Sequence, residues 1–350
     1  MKKIAIVMGH FGLKSGGVLS SVLNIVNFLL KKNRIHIFAG KDDFKIPKKL
    51  SKQKNLKFTF FSIKHHGFLK VPNYNFNFED LNNFDLIWFN GAYMGWNKIA
   101  KKLNKKYVYT PHGGFSNLLN VDIFRLLRRF FLFFSEYSLI KNAKYVQALS
   151  NSEFLFLRKI NLKTIQIPNY IFKKKRKIKI KNKKNFCYIG RLDPSKNIPF
   201  LIKLSEKSKI NIDYYGYFTK SAPVNYQNFL KNNVSFSKNY YGSYKDEKKL
   251  SQILQKYNYM ILPSKWEGMP IVIYEAIENN VIPIVSNQIK LPNFLNKYIL
   301  KIDILDFDKS LALIKKLNKK KLQKNKLLLK KALSVCEKNL SGSKYQSFLN

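Results

Sequence analysis

The chain has 350 residues, 45% hydrophobic and 15% aromatic, which suffices for two ordinary domains with cores and excludes wholesale disorder. Its 65 Lys and Arg against 20 Asp and Glu give a formal charge of +45, which draws a protein toward nucleic acid, anionic membrane or phosphorylated ligands. Lys, Asn, Ile and Phe are all heavily used, so charge alone selects none of these partners.

In chain order, short apolar and β-branched runs predict strands at 3–7, 34–39, 57–63, 85–89, 106–109, 144–148 and 164–167. Helical periodicity lies between several of them, notably at 18–32 and 121–142. Residues 173–184 read KKKRKIKIKNKK, with nine of twelve basic, a self-repelling block expected of an exposed linker. A second series follows, with strands expected at 186–189, 211–215, 234–237, 259–262 and 282–286. Amphipathic helices are expected at 198–208, 246–257 and 271–280, and a basic, solvated helix at 315–331. Alternation of this kind predicts an α/β fold of parallel sheets covered by helices. Two series predict two doubly wound, Rossmann-like domains. Their expected bounds are 1–168 and 185–330, with a linker at 169–184 and a C-terminal helix at 331–350 returning to the first domain.

Cys187 and Cys336 form neither a disulfide framework nor a zinc spacing, which fits a reducing compartment. The opening MKKIAIVMGH is broken by His10 and Lys14 and lacks the small-residue site of a secretory leader. No run reaches the roughly 18 apolar residues of a membrane-spanning helix. A cytoplasmic protein, soluble or peripheral to the membrane, is the expectation. Two segments mix basic and large apolar residues, 125–134 (RLLRRFFLFF) and 60–70 (FFSIKHHGFLK), as interfacial segments do.

Residues 262–276 read LPSKWEGMPIVIYEA. An apolar strand turns through Glu267-Gly268-Met269 and opens a helix near Pro270, so free backbone N–H groups and a positive dipole end can seat a diphosphate. Glu267 lies in the loop and can address sugar hydroxyls, whereas Glu275 lies in the helix and can accept from a ribose. Arg191 and Lys196 follow another strand on the same sheet edge and supply two cations for a diphosphate, one a planar fork and one a point charge. Gly16 and Gly17 follow the first strand and allow close approach of backbone to a phosphate or sugar. His112 sits past a strand end and before Gly113-Gly114, facing the expected interdomain cleft, which His10 also borders.

Pro263-Ser264, Glu267-Gly268 and Glu275-Ala276, with seven residues between the glutamates, resemble the donor-site signature of family 4 retaining glycosyltransferases. Gly16-Gly17, Thr110-Pro-His112-Gly-Gly114, Leu149-Ser150-Asn-Ser-Glu153, Ile167-Pro-Asn169, Tyr188-Ile-Gly190-Arg191 through Lys196-Asn197, and Ile284-Val-Ser286 fall in that family's order. The resemblance implies a GT-B fold and transfer of a sugar, with retention, from a nucleotide diphosphate to a saccharide or lipid-linked acceptor. Surface polysaccharide or lipooligosaccharide synthesis is the setting it implies. It assigns His112, Glu267, Arg191 and Lys196 to catalysis, with Gly16, Gly17, Gly268, Met269, Pro270 and Glu275 completing the substrate contacts. It also implies no bound metal and no cofactor beyond the donor. Asp306-Phe-Asp308, which mimics a metal motif, reads more simply as a helix N-cap. Tyr170 stands where the family carries glycine and Met269 where Phe is commoner, which leaves base and sugar preference open. Two other readings stay open. One is a nucleotide-sugar epimerase of the same fold, and the other a charge-driven nucleic-acid binder, although no familiar nucleic-acid motif occurs.

Overall fold

The computed structural model describes residues 1–11, 17–41, 46, 48–66, 71–75, 77–115, 123–169, 171, 183–219, 222–244, 247–317, 319–340 and 342–349. The chain divides into two compact units, Met1–Ile171 with Gly342–Asn350, and Phe172–Ser341. Most of the basic block at 173–184 therefore lies outside the described residues, as do Gly16 and Tyr170.

The first unit is built on a sheet of β1 (Lys3–His10), β2 (Arg34–Gly40), β3 (Leu56–His66), β4 (Val71–Asn75), β5 (Leu86–Asn90), β6 (Tyr107–Thr110), β7 (Tyr145–Ala148) and β8 (Thr164–Gln166). The strand order is β4-β3-β2-β1-β5-β6-β7-β8, parallel except for the antiparallel β3–β4 pair. The unbroken apolar run of β1 is the mark of a strand covered on both faces. Ile4, Ile6 and Met8 enter one core with Leu19, Val22, Val26 and Leu29 of the Gly17–Leu29 helix. Ala5 and Val7, on the other face, join Phe89, Tyr109 and Leu139, the last from the Ile123–Asn142 helix. At about 1.5–3 kcal/mol per fully buried large apolar side chain, these two layers fix the strand register against a one-residue slip. The tail returns to this unit, where the 3-10 turn Ser343–Phe348 packs Tyr345 and Phe348 against Trp88.

The second unit has a five-stranded parallel sheet of β9 (Lys184–Ile189), β10 (Ile212–Tyr215), β11 (Tyr257–Leu262), β12 (Ile282–Ser286) and β13 (Leu300–Ile302), in the order β10-β9-β11-β12-β13. The Ile198–Ser208 helix buries Ile198, Leu201, Ile202 and Leu204. The Lys319–Asn339 helix is more than a solvated surface, because Leu329, Ala332 and Cys336 are buried and it packs on the Ile271–Glu278 helix. Cys187 in β9 and Cys336 are both free thiols, fully buried. Gly216 follows β10 with φ of 154°, and a Cβ there would stand 1.8 Å from the Gly190 carbonyl oxygen. No other residue fits so close to the loop that leaves β9.

One expected strand is a helix. Val234–Ser237 forms a single helical turn, with the Asn233 side chain accepting from Phe236 N. Its Val234 is 76% exposed while Phe236 is buried, so the apolar pair has no sheet face to fill, and the cap outweighs β propensity. The β3–β4 pairing was not anticipated, because Pro72 and the brevity of Val71–Asn75 mask the strand pattern. Residues 331–350 divide between the units, helical to Asn339 in the second and turning at Ser343–Phe348 in the first.

Candidate functional site

In the second unit the chain leaves β9 toward β10 on one side and runs from β11 toward β12 and β13 on the other. The carboxyl ends of β9 and β11 therefore flank a topological switch point, where open α/β sheets bind ligands. Asp193 caps the 3-10 turn Pro194–Lys196, accepting from Ser195 N at 3.0 Å and from the Ser195 hydroxyl. Lys265 N donates to the Ser195 carbonyl at 2.8 Å, tying the β9 and β11 loops together. This scaffold sets Lys196 Nζ 2.5 Å from Glu267 Oε1, which also accepts from Ser264 Oγ at 2.8 Å. The paired side chains are only 9% and 14% exposed. Such a pair adds little net stability, because desolvating two ions offsets their attraction. Both contacts fall on Oε1, so Oε2 keeps its acceptor capacity.

Arg191 differs. Its side chain is 46% exposed and its Nε lies 3.7 Å from Asp193 Oδ2, so the guanidinium fork remains open to an oxyanion. Gly268 and Met269 are half-buried and lead to Pro270, the N-cap residue of the Ile271–Glu278 helix, where no side chain caps the first turn. Glu275 is buried one turn further along. Burial pushes the Tyr244 hydroxyl upward, and the neighbouring Glu275 charge adds to the shift.

In the first unit the switch point lies between β1 and β5. The described chain resumes at Gly17, the first residue of its helix. Asn90 ends β5, and His112 follows β6 with φ of 53°. Asn90 Nδ2 donates to the Trp88 carbonyl at 3.0 Å, which turns Oδ1 toward His112 Nε2, 2.9 Å away. That oxygen accepts only, so Nε2 carries the hydrogen, and Nδ1 accepts from Asn169 Nδ2 at 2.6 Å. Burial lowers His112 to a pKa of about 3, leaving a neutral ring at every physiological pH. Beneath the turn, Glu153 Oε2 accepts from Leu149 N at 2.9 Å, and the carboxyl also faces the N–H groups of Gly113 and Phe115. Burial raises Glu153 to about 7 against the pull of those donors, and Glu136, bonded by the Tyr109 hydroxyl, is likewise raised to about 7.

The structure thus gathers Arg191, Lys196, Glu267, Gly268, Met269 and Pro270 on the loops of one switch point, with Glu275 in the helix that follows, and places His112 and Gly17 in the other unit. Asn90 and Tyr345 carry no signal in the sequence, because single amide and hydroxyl residues at element ends have no spacing pattern. Asp306 caps the Phe307–Lys315 helix through Lys309 N at 3.0 Å. Among the described residues no group of three or more His, Cys, Asp or Glu is placed to hold a metal ion. No described helix is long and apolar enough to cross a membrane.

Residues 171–319 match the family model described as glycosyl transferases group 1. No curated protein matches the chain. Among solved structures the chain is similar to sucrose-phosphate synthase from Thermosynechococcus elongatus, at 16% identity and TM-score 0.74, covering 100% of this chain and 99% of that one. It is also similar to Anabaena Alr3699/HepE in complex with UDP and glucose (13% identity, TM-score 0.76, 100% and 98% covered). A third likeness is to the E. coli trehalose-6-phosphate structure bound with UDP-2-fluoro glucose (15%, TM-score 0.67, 99% and 98%). At these identities the likeness carries the fold, and that fold is GT-B.

Proposed function

We propose that the protein is a retaining glycosyltransferase resembling family 4, moving a sugar from a nucleotide diphosphate to a saccharide or lipid-linked acceptor. The observation that carries this reading is the buried Lys196–Glu267 pair at the second unit's switch point, beside the half-exposed Arg191 and the uncapped Ile271–Glu278 helix. The glycosyl–phosphate oxygen bond breaks, an acceptor hydroxyl oxygen bonds the same carbon on the same face, and the hydroxyl proton leaves on the departing diphosphate. Arg191, Lys196 and the helix end stabilise the charge that grows on the departing diphosphate, Glu267 holds sugar hydroxyls and Glu275 the ribose. Gly16, Gly17 and His112 lie in the first unit, which presents the acceptor, and no metal is required by these residues. The match to the group 1 model and the UDP complexes of structural neighbours support a nucleotide-sugar donor, with UDP the first base to try.

A role at the inner face of a membrane, in surface-glycan synthesis, extends this reading. The Ile123–Asn142 helix exposes Phe130, Phe134 and Tyr137, spaced i, i+4, i+7 on one face, in a chain of charge +45.

Thermal stabilisation by UDP, GDP and their sugars, on wild type and Glu275→Ala, tests the donor site. Ligand at 100 times its dissociation constant adds about 2.7 kcal/mol. Stabilisation by one nucleotide, lost in the variant, is expected. Absence of any response, beside tight salt-sensitive RNA binding, overturns the reading in favour of charge-driven binding. Conversion of one nucleotide sugar to another without acceptor would make the protein an epimerase.

A further inference from the structure

Beyond Gln166, where β8 ends, three consecutive carbonyls of the first unit are held by side chains instead of a neighbouring strand. Gln147 Nε2 donates to the Ile167 carbonyl at 2.8 Å, the Tyr345 hydroxyl to that of Pro168 at 2.6 Å, and Ser21 Oγ to that of Asn169 at 2.9 Å. Proline has no N–H, so the Pro168 carbonyl is the one backbone hydrogen-bonding group that residue offers. Gln147 Nε2 also lies 3.3 Å from the Tyr345 hydroxyl, while Gln147 Oε1 accepts from Thr110 Oγ1 at 2.9 Å. Thr110 Oγ1 in turn accepts from Trp88 Nε1 at 2.7 Å. With the Trp88–Asn90–His112–Asn169 sequence described above, the bonds close into a ring around the ends of β5, β6, β7 and β8. Asn90, Thr110, Gln147, Asn169 and Tyr345 are each less than 5% exposed.

We propose that Tyr345, in the C-terminal turn, is a positioning residue: by holding the Pro168 carbonyl it keeps Asn169 donating to His112 Nδ1 and fixes His112 as the Nε2–H tautomer. The direction of every bond in the ring is compatible with this state. The Trp88 carbonyl demands the amide of Asn90, so Asn90 Oδ1 demands Nε2–H, and a neutral imidazole then needs a donor at Nδ1. Asn169 supplies that donor only while its own backbone is held, which is the task of Ser21 and Tyr345. The last residues of the chain thereby act on the first unit's switch point although they lie far from it in sequence. His112 serves as an oriented ring with a fixed proton, and proton transfer is outside its role. The consequence for catalysis rests on the sugar transfer proposed above, whereas the tautomer does not.

The test uses full-length protein labelled with 15N-histidine, in which the His112 ring signals are assigned by their loss in His112→Gln. The wild type is expected to show one Nε2–H tautomer for His112. Tyr345→Phe keeps the ring packed against Trp88 and Phe348 but removes the hydroxyl, and is expected to give a mixture of tautomers. Asn169→Asp replaces a donor with an acceptor, so that both ring nitrogens face acceptors, and is expected to give the doubly protonated imidazolium. In the transfer assay Tyr345→Phe should lower kcat by up to about 100-fold, the scale of an ångström misplacement, with nucleotide affinity unchanged. A lower melting temperature with the wild-type tautomer intact in both variants would show a merely structural tail and overturn the proposal. If wild type transfers no sugar, the functional reading fails, and the spectra still decide the tautomer.

Discussion

The two units place opposite chemistries at the same topological address. At the second unit's switch point an ammonium and a carboxylate stand 2.5 Å apart, with a half-exposed guanidinium beside them. At the first unit's, a neutral imidazole sits between two primary amides, and the carboxyl beneath it is pushed toward neutrality by burial. Both sheets reverse direction in the same way, so strand order decides where ligands go and the side chains decide which ligands they are. The charged edge suits a diphosphate that gains charge as it departs. The neutral edge suits hydroxyl groups, which need directed hydrogen bonds and gain little from a field.

The largest expected effect breaks the charged half of this contrast. Lys196→Ala strands Glu267 beside a buried space and should cost about 3–5 kcal/mol of stability, read by denaturant unfolding. The same variant should lose about 100- to 1,000-fold in kcat. Lys196→Met with Glu267→Leu should recover the stability and none of the activity, which separates function from folding. Next comes the neutral half. Glu136 and Glu153 have folded pKa values raised from 4.5 to about 7, so the folded chain holds protons that the unfolded chain releases. Stability should therefore fall as pH rises between about 4.5 and 7, by roughly 1–3 kcal/mol per carboxyl, and level off above. Glu136→Gln should flatten that slope in melting curves. Arg191→Ala, at a half-exposed position, should weaken donor binding about tenfold by calorimetry, without a change in melting temperature. Little effect on stability is also expected of Phe130→Asp with Phe134→Asp, both rings being mostly exposed. That pair should abolish sedimentation with anionic vesicles if the helix face meets a membrane; unchanged sedimentation would remove it from the interface.

The charged site was legible in the sequence and the neutral one only in part. Glu267, Glu275, Arg191 and Lys196 fall in two continuous stretches that read directly as strand, turn and helix, so their spacing carries the geometry. The neutral site is assembled from Asn90, His112, Asn169 and Tyr345, four distant positions that no local period connects. Strands such as β1 and β9 were evident because burial on both faces leaves an uninterrupted apolar run. Val234–Ser237 failed the same test because four residues cannot distinguish a strand from a capped turn, and the decisive group, the Asn233 side chain, precedes them. The long basic helix ending at Asn339 hid its buried stripe of Leu329, Ala332 and Cys336 beneath many lysines.

Cys187 and Cys336, buried in the second unit, also make the chain a reporter of its own partial opening. Burial lifts both thiols, Cys336 to about 12, so neither presents a thiolate to a reagent while that unit stays closed. The first unit has no cysteine at all. Alkylation rate therefore clocks the transient unfolding of one unit while remaining blind to the other. A nucleotide that protects both thiols would locate its binding by kinetics, with no substitution in the chain.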